Sequence, residues 1–361
     1  MSLVIVILGI LLKLLFNAIK LKKEKYIYIM FALLFIVIII RKPISDLIGY
    51  FGYFDYLNSG ITVKQFFSLN FEFLYKLLNV IIGIFSKNHY LFVIVVSVIS
   101  LIGIMFSVKR YSKDPLIVIL LYVTIGTYYM NFIILRQAIA LSVLMYSIKY
   151  IEDKKLTKFI ISVIVATLFH KTSLVFLPMY FLCNINYKKY MYHIWFAIYL
   201  ITFIVKDYVI YFLRNKFYSS YNDYIYSGEG YFSLLMYVCL LVFSIILYKK
   251  YIEKKDIMAT KKKRKIIKDE IEKNILLKRL NIFFNFTFVA IFFQILATSQ
   301  SIICRITNIF LLGTIYLIDY TIDSILDEKI KKIIKCLVII SCILFATFLP
   351  AVNEYSFINI I

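Results

Sequence analysis

A few basic side chains in this sequence stand where long apolar runs have little room for charge. The stretch NFIILRQAIALSVLMYSIKYIEDKKLTKFIISVIVATLFHKTSLVFLP, residues 131–178, carries Arg136 in one hydrophobic run and His170-Lys171 in the next. Arg305 lies in a third. A charged residue inside such a run costs about 2.5–3.5 kcal/mol on insertion scales. Guanidinium groups stay charged at any working pH and bind phosphate through a planar fork. A histidine, or a carboxylate such as Asp46 or Glu72, can take the proton from a hydroxyl. Two arginines and a histidine therefore suit an anionic oxygen substrate that meets a hydroxyl acceptor.

Other chemistries find less support. The three histidines, His89, His170 and His193, fall in separate segments, with no HExxH motif and no Asp-x-Asp pair, so no metal site is expected. The five cysteines, Cys183, Cys239, Cys304, Cys336 and Cys342, lie in or beside apolar runs at no metal-type spacing and read as small packing residues. There is no P-loop or Gly-rich nucleotide motif, so no cofactor is expected and ATP is not an obvious fuel.

The elements that must position these residues are membrane helices. Hydrophobic residues make up 62% of the 361, against about 45–50% in an average soluble chain, and mean hydropathy is +0.87. They come as many runs of spanning length, which makes this an all-α polytopic membrane protein. The first run has no charge before Lys13 and no small-residue cleavage site, so it reads as a retained span. The net charge of +22 sits in clusters between spans, as the positive-inside rule predicts, and this argues against nucleic acid as a partner.

Charge bias then orders the chain. Leu3–Ile19 and Tyr26–Ile40 form two spans around a cytoplasmic Lys-rich loop, and residues 41–70 form an external loop. Phe71–Phe85 is short for a span and carries Glu72 and Lys76, so it reads as a helix at the external interface or re-entering it. Tyr90–Val108 crosses inward. Pro115–Ile151 is long enough for two spans, with a turn near Tyr128–Arg136. Lys158–Cys183 is broken at His170–Ser173, placing His170 near the external face. Residues 206–230 form a second external loop, and residues 249–279 a cytoplasmic loop with 13 basic and 5 acidic residues, a face for anionic lipid. A hairpin with Arg305 in its external turn and a last span at Cys336–Leu349 bring the count to about twelve in one membrane domain. Arg136, His170, Arg305 and the loops holding Asp46, Glu72, Asp223 and Glu229 then share the external side.

LRQAIALSVLMYSIKYIEDKKLTKFIISVIVATLFHKTSLVFLPMY resembles the signature of the EpsG family of bacterial exopolysaccharide and capsule loci. Arg136-Gln137 opens a span, a charged turn follows, and Ala166, Phe169-His170 and Thr172-Ser173 stand at matching positions. Asp46 with Tyr50 looks like the family's acidic-aromatic external motif, with Asp55-Tyr56 as a rival match; Phe71-Glu72-Phe73 and Arg305 match two further motifs. The family is similar to Wzy-type polymerases that make exopolysaccharide, capsule and O-antigen. The resemblance implies a metal-independent GT-C-like bundle and a glycosyltransferase joining undecaprenyl-diphosphate-linked repeat units at the outer face of the plasma membrane. A flippase and a chain-length regulator would be companions.

On this reading the catalytic set is His170, Arg136, Arg305, Asp46 and Glu72. Arg136 and Arg305 hold diphosphate, and His170, Asp46 or Glu72 serves as base. Gln137, Lys171, Tyr50, Tyr221 and Tyr224 are expected to bind substrate, the tyrosines by stacking on sugar rings. Two other classes stay open, a flippase for the same lipid-linked glycan and a membrane O-acyltransferase.

Overall fold

A computed structural model describes residues 2–20, 22–41, 45–185, 190–217, 230–259, 266–325 and 327–348. The described residues are helical, with no strand among them. Their contacts divide the chain into two compact units, Met1–Leu177 with Lys335–Ile361, and Pro178–Ile334.

The first unit begins with α1 (Ser2–Ala18) and α2 (Lys23–Ile39), which correspond to the first two apolar runs. Residues 41–70, expected as a loop, instead contain α3 (Ser45–Leu57) and α4 (Val63–Ser68). The reason is packing. Leu47, Phe54 and Leu57 recur at helical spacing and are buried, so aromatics that suggest a tyrosine-rich loop form one apolar face. α5 (Phe73–Phe85) has 13 residues and is about 20 Å long at 1.5 Å per residue, well short of a ~30 Å hydrocarbon core. Its buried Lys76 donates to the Phe66 and Leu69 carbonyls at 2.9 and 3.2 Å. That lysine is the tie holding the end of α4.

α6 (His89–Tyr111) is capped by the Asn88 side chain, which accepts from the Tyr90 N–H. It ends in Lys109 and Arg110, cations that suit the negative end of the helix dipole. α7 (Pro115–Thr124) starts from an Asp114 cap with proline in its first turn. It is only 10 residues long, so the apolar tract 115–151 is divided into α7, the short α8 (Met130–Ile133) and α9 (Leu135–Glu152). α10 (Leu156–Phe169) runs into a break at His170, whose backbone is extended, followed by a 3-10 turn over Lys171–Phe176.

α6 and α9 pack with backbones nearly touching. A Cβ on Gly103 would lie 2.1 Å from the Ser142 carbonyl oxygen. The Ser142 hydroxyl accepts from the Gly103 N–H at 2.9 Å and donates to the Ile99 carbonyl at 2.7 Å. Ser97, Ser100 and Ser107 are buried on the same helix. Small residues of this kind let membrane helices approach where lipid supplies no hydrophobic drive for them to do so.

The second unit contains α11 (Met179–Asn184), α12 (Tyr190–Phe217), α13 (Tyr231–Ala259), α14 (Ile266–Ala297) and α15 (Cys304–Asp323). α16 (Glu328–Phe348) starts here and from Lys335 belongs to the first unit. α14 and α15 form a hairpin, and Gly313 admits the Phe286 ring where a Cβ would sit 2.3 Å from it. Lys206 of α12 is buried and donates to the Tyr231 hydroxyl at 2.8 Å and to Thr298 Oγ1 at 2.7 Å. These bonds join α12, α13 and the end of α14.

Among the described residues, four helices are long and apolar enough to cross a membrane, at His89–Tyr111, Tyr192–Phe212, Asn274–Ala297 and Ser301–Asp323. Shorter apolar helices occupy Leu3–Ala18, Phe73–Phe85, Pro115–Thr124, Leu156–Phe169 and Tyr231–Leu247. This is a helical membrane protein.

The α6–α9 contact gives two glycines opposite behaviour. Gly103→Ala forces backbone apart and should lower stability by about 1–3 kcal/mol. Gly49→Ala, on α3 with nothing within 4 Å of the added Cβ, should raise it by up to about 1 kcal/mol. Thermal unfolding of the two detergent-purified variants, followed by loss of the monodisperse elution peak, checks both signs.

Candidate functional site

Glu72 stands at the N-cap of α5 in extended backbone, and its carboxylate is divided between two partners. Oε2 accepts from Arg136 Nη1 at 2.6 Å. Oε1 accepts from the Lys171 backbone N–H at 3.1 Å and lies 3.4 Å from His170 Nδ1. Three segments remote in sequence thus meet on one acid: the start of α5, the first turn of α9, and the break after α10. Side-chain exposure is 7% for Glu72, 13% for His170 and 22% for Arg136. The acid is sealed, and the arginine keeps one side open.

Local structure explains the geometry. Glu72, Tyr75, Lys76, Asn79, Ile82 and Gly83 all face inward at three- and four-residue steps, so the buried stripe of α5 ends on the carboxylate. Arg136 is the second residue of α9, where a long side chain reaches past the helix end. At His170 the helix stops, which frees the Lys171 N–H to point at Glu72 instead of up its own helix.

An aromatic wall backs the trio. The Arg136 guanidinium stacks over Phe71 at 4.2 Å, and Phe71 lies against Tyr53 with centroids 3.9 Å apart. The Tyr50 hydroxyl hydrogen-bonds the same guanidinium. Beneath lies an apolar floor that includes Leu47, Phe54, Phe92 and Leu135. Arg136 Nε, Tyr53 Oη, His170 Nδ1, Thr172 Oγ1 and Ser173 Oγ are buried with no hydrogen-bond partner among the described residues. Several unsatisfied polar atoms around one ion pair are what a ligand site leaves behind.

Burial would raise the Glu72 pKa. The His170 contact, the Arg136 charge and the Lys171 N–H outweigh it and hold the carboxyl down at about 2. A carboxylate that acidic is a poor proton acceptor near neutrality and a strong anchor for cations. Among the described residues, no three His, Cys, Asp or Glu side chains gather as metal ligands, and the chemistry offered is cationic.

The remaining predicted residues are distributed differently. Tyr50 joins the cluster, while Lys171 contributes its backbone and leaves its side chain exposed. Gln137 is buried among the helices. Asp46 is exposed in the first turn of α3. Arg305 is exposed in the first turn of α15, within the second unit. Tyr221 and Tyr224, with Asp223 and Glu229, lie outside the described residues.

Sequence reasoning missed Phe71 as the stacking surface for Arg136, although it directly precedes Glu72. It also missed the buried Arg41, which donates to the Asn131 carbonyl at 2.7 Å and stacks over Phe132. The available signal was an arginine closing an apolar run.

A model of the EpsG family matches residues 24–360, nearly the whole chain. No curated protein and no solved structure matches.

The Glu72 ion pair sets a pH dependence. Its folded pKa, about 2, lies below the ordinary 4.5, so its stabilisation is complete above about pH 4.5 and is lost as pH falls toward 2. Glu72→Gln at pH 7 should cost about 2 kcal/mol, less than a fully buried pair because Arg136 is 22% exposed. The Tm difference between wild type and variant should stay level from pH 7 to about 4.5 and then shrink.

Proposed function

The chain belongs to the EpsG family, which implies an exopolysaccharide-related, glycosyltransferase-like polymerase, and we propose that it joins undecaprenyl-diphosphate-linked oligosaccharide repeat units at the outer face of a bacterial plasma membrane. The observation that carries the reading is the single carboxylate that holds an arginine and lies 3.4 Å from a histidine, beside buried polar atoms with no protein partner among the described residues.

Each group has a role that fits its environment. Arg136 is fixed by Glu72 on Nη1, and its exposed side offers further N–H donors to the donor diphosphate. Those donors stabilise charge as the bond from the anomeric carbon to the diphosphate oxygen breaks. The hydroxyl oxygen of the acceptor sugar forms the new bond to that carbon, and its proton passes to His170. Undecaprenyl diphosphate leaves. Glu72 lies 3.4 Å from Nδ1 of His170, and a hydrogen bond closed across that gap in the substrate complex would orient the ring so that Nε2 receives the proton, as a carboxylate orients a histidine in hydrolytic triads. Glu72 is therefore a positioning residue, and His170 the base. Asp46, exposed at the start of α3, is a less supported base.

Tyr53, Thr172 and Ser173 supply hydrogen-bonding atoms for sugar hydroxyls, and Tyr50 and Phe71 supply ring faces. Arg305, exposed at the start of α15 in the second unit, is by its chemistry a further phosphate-binding group. The proposal includes a GT-C-like bundle of about twelve crossings; four long and five shorter apolar helices stand among the described residues. A flippase that delivers the units and a regulator of chain length are the companions such a polymerase needs.

In a strain lacking the gene, Arg136→Ala and His170→Ala at unchanged protein level should cut polymer formation by about 10²-fold or more and leave single repeat units on lipid. Gel profiles of polymer and mass spectra of the lipid-linked pool read both. Polymer of normal length from either variant would remove that residue from the mechanism. Full-length polymer lacking acyl groups in the null strain would replace polymerisation with acyl transfer.

A further inference from the structure

The opposite end of the first unit contains a cavity that the polymerase reading does not use. It encloses about 360 Å³ between the last turns of α6 and α9 and the start of α2, and is lined by Glu24, Phe106, Lys109, Arg110, Tyr146 and Lys149. Lys109, Arg110, Lys113, Lys149, Lys154 and Lys155 cluster at this end, which makes it the cytoplasmic face by the positive-inside rule.

The three lining cations are not equivalent. Arg110 is clamped by Glu152 at 2.6 Å and Asp153 at 3.1 Å. Lys109 is held by Glu24 at 3.3 Å and by the Tyr28 hydroxyl at 2.9 Å. Lys149 has no carboxylate partner among the described residues. Its ammonium rests on the Tyr146 ring at 3.5 Å and reaches Tyr150 at 4.9 Å. A cation parked on aromatic faces keeps its N–H donors for an incoming anion.

The cavity also continues into an apolar track. Ile94, Val98, Ile102 and Phe106 recur every four residues along α6 and are all exposed, and Phe106 meets Tyr146 edge-on at 6.0 Å. The track runs along the helix and ends at the cationic slot. A free anion would use only the slot, whereas a phospholipid would use both.

We propose that this cavity binds an anionic glycerophospholipid of the cytoplasmic leaflet, with the headgroup phosphate on Lys149 and Lys109 and an acyl chain along Ile94–Phe106. Arg110, locked by its two acids, shapes the wall. The Tyr146 ring closes the slot on its lipid side and presents Lys149.

Native mass spectrometry of the full-length protein in detergent tests this, with phosphatidylglycerol, phosphatidylcholine or inorganic phosphate added. Wild type should retain phosphatidylglycerol above phosphatidylcholine at equal mole fraction. Lys149→Ala should lower retained phosphatidylglycerol about fivefold, the weight of one interfacial cation. Lys149→Arg should keep it, and so should Lys158→Ala, an exposed lysine outside the cavity. If Lys149→Ala does not elute as a single peak, Lys149→Gln replaces it. Equal retention of both lipids, or equal loss in Lys149→Ala and Lys158→Ala, overturns the proposal. Inorganic phosphate displacing the retained lipid at low millimolar concentration would also overturn it and assign the slot to a free anion.

Discussion

A carboxylate removed from water must find positive charge or N–H donors, and most of what is distinctive in the first unit satisfies that demand at Glu72. Both its oxygens are occupied, by Arg136 on one side and by the Lys171 N–H and His170 on the other. Neither Glu72 nor Arg136 could keep its charge in an apolar setting alone. Together they form one neutral pair, with the Lys171 N–H on the second oxygen. The break at His170, the position of Arg136 on the second residue of α9, and the inward stripe of α5 are each explicable by this one acid. The affinity for phosphate assigned to Arg136 comes from the same source, because a guanidinium fixed on one side presents its other donors in a defined plane.

The second organising constraint is backbone approach. In lipid, apolar side chains gain little by leaving one hydrocarbon surface for another, so association depends on contact area and polar satisfaction. At Gly103 and Ser142 the helices touch through a hydroxyl of α9 that bonds the α6 backbone twice. Gly313 does the same for an aromatic ring in the second unit. Both contacts are steric permissions, granted by the absence of a side chain.

How much of this was legible varied with range. Apolar runs and lysine clusters identified the long helices, and the polar quartet His170–Ser173 marked the break after α10, because both are local signals. The match of Arg136-Gln137 and Phe169-His170 to a family signature agrees with the family found. The pairing of Glu72 with Arg136, 64 residues apart, was not readable, since nothing in one sequence says which distant charges meet. The tyrosines at positions 50, 53 and 56 suggested a loop because aromatic density obscured a helical period. The fate of Glu72 as base was likewise hidden. Only its partners show that Glu72 is paired with a guanidinium and a backbone N–H, which lower its proton affinity.

The division of the Glu72 oxygens also bears on how this part of the molecule can move. A one-residue slide of α5 along its neighbours is about 1.5 Å, enough to lengthen and misalign a 2.6 Å contact. Because the two oxygens face different segments, a shift that favours one partner abandons the other. The acid therefore acts as a keyway, fixing α5 in register against α9 and the turn after α10. One side chain thus sets the relative register of three segments that are far apart in the sequence.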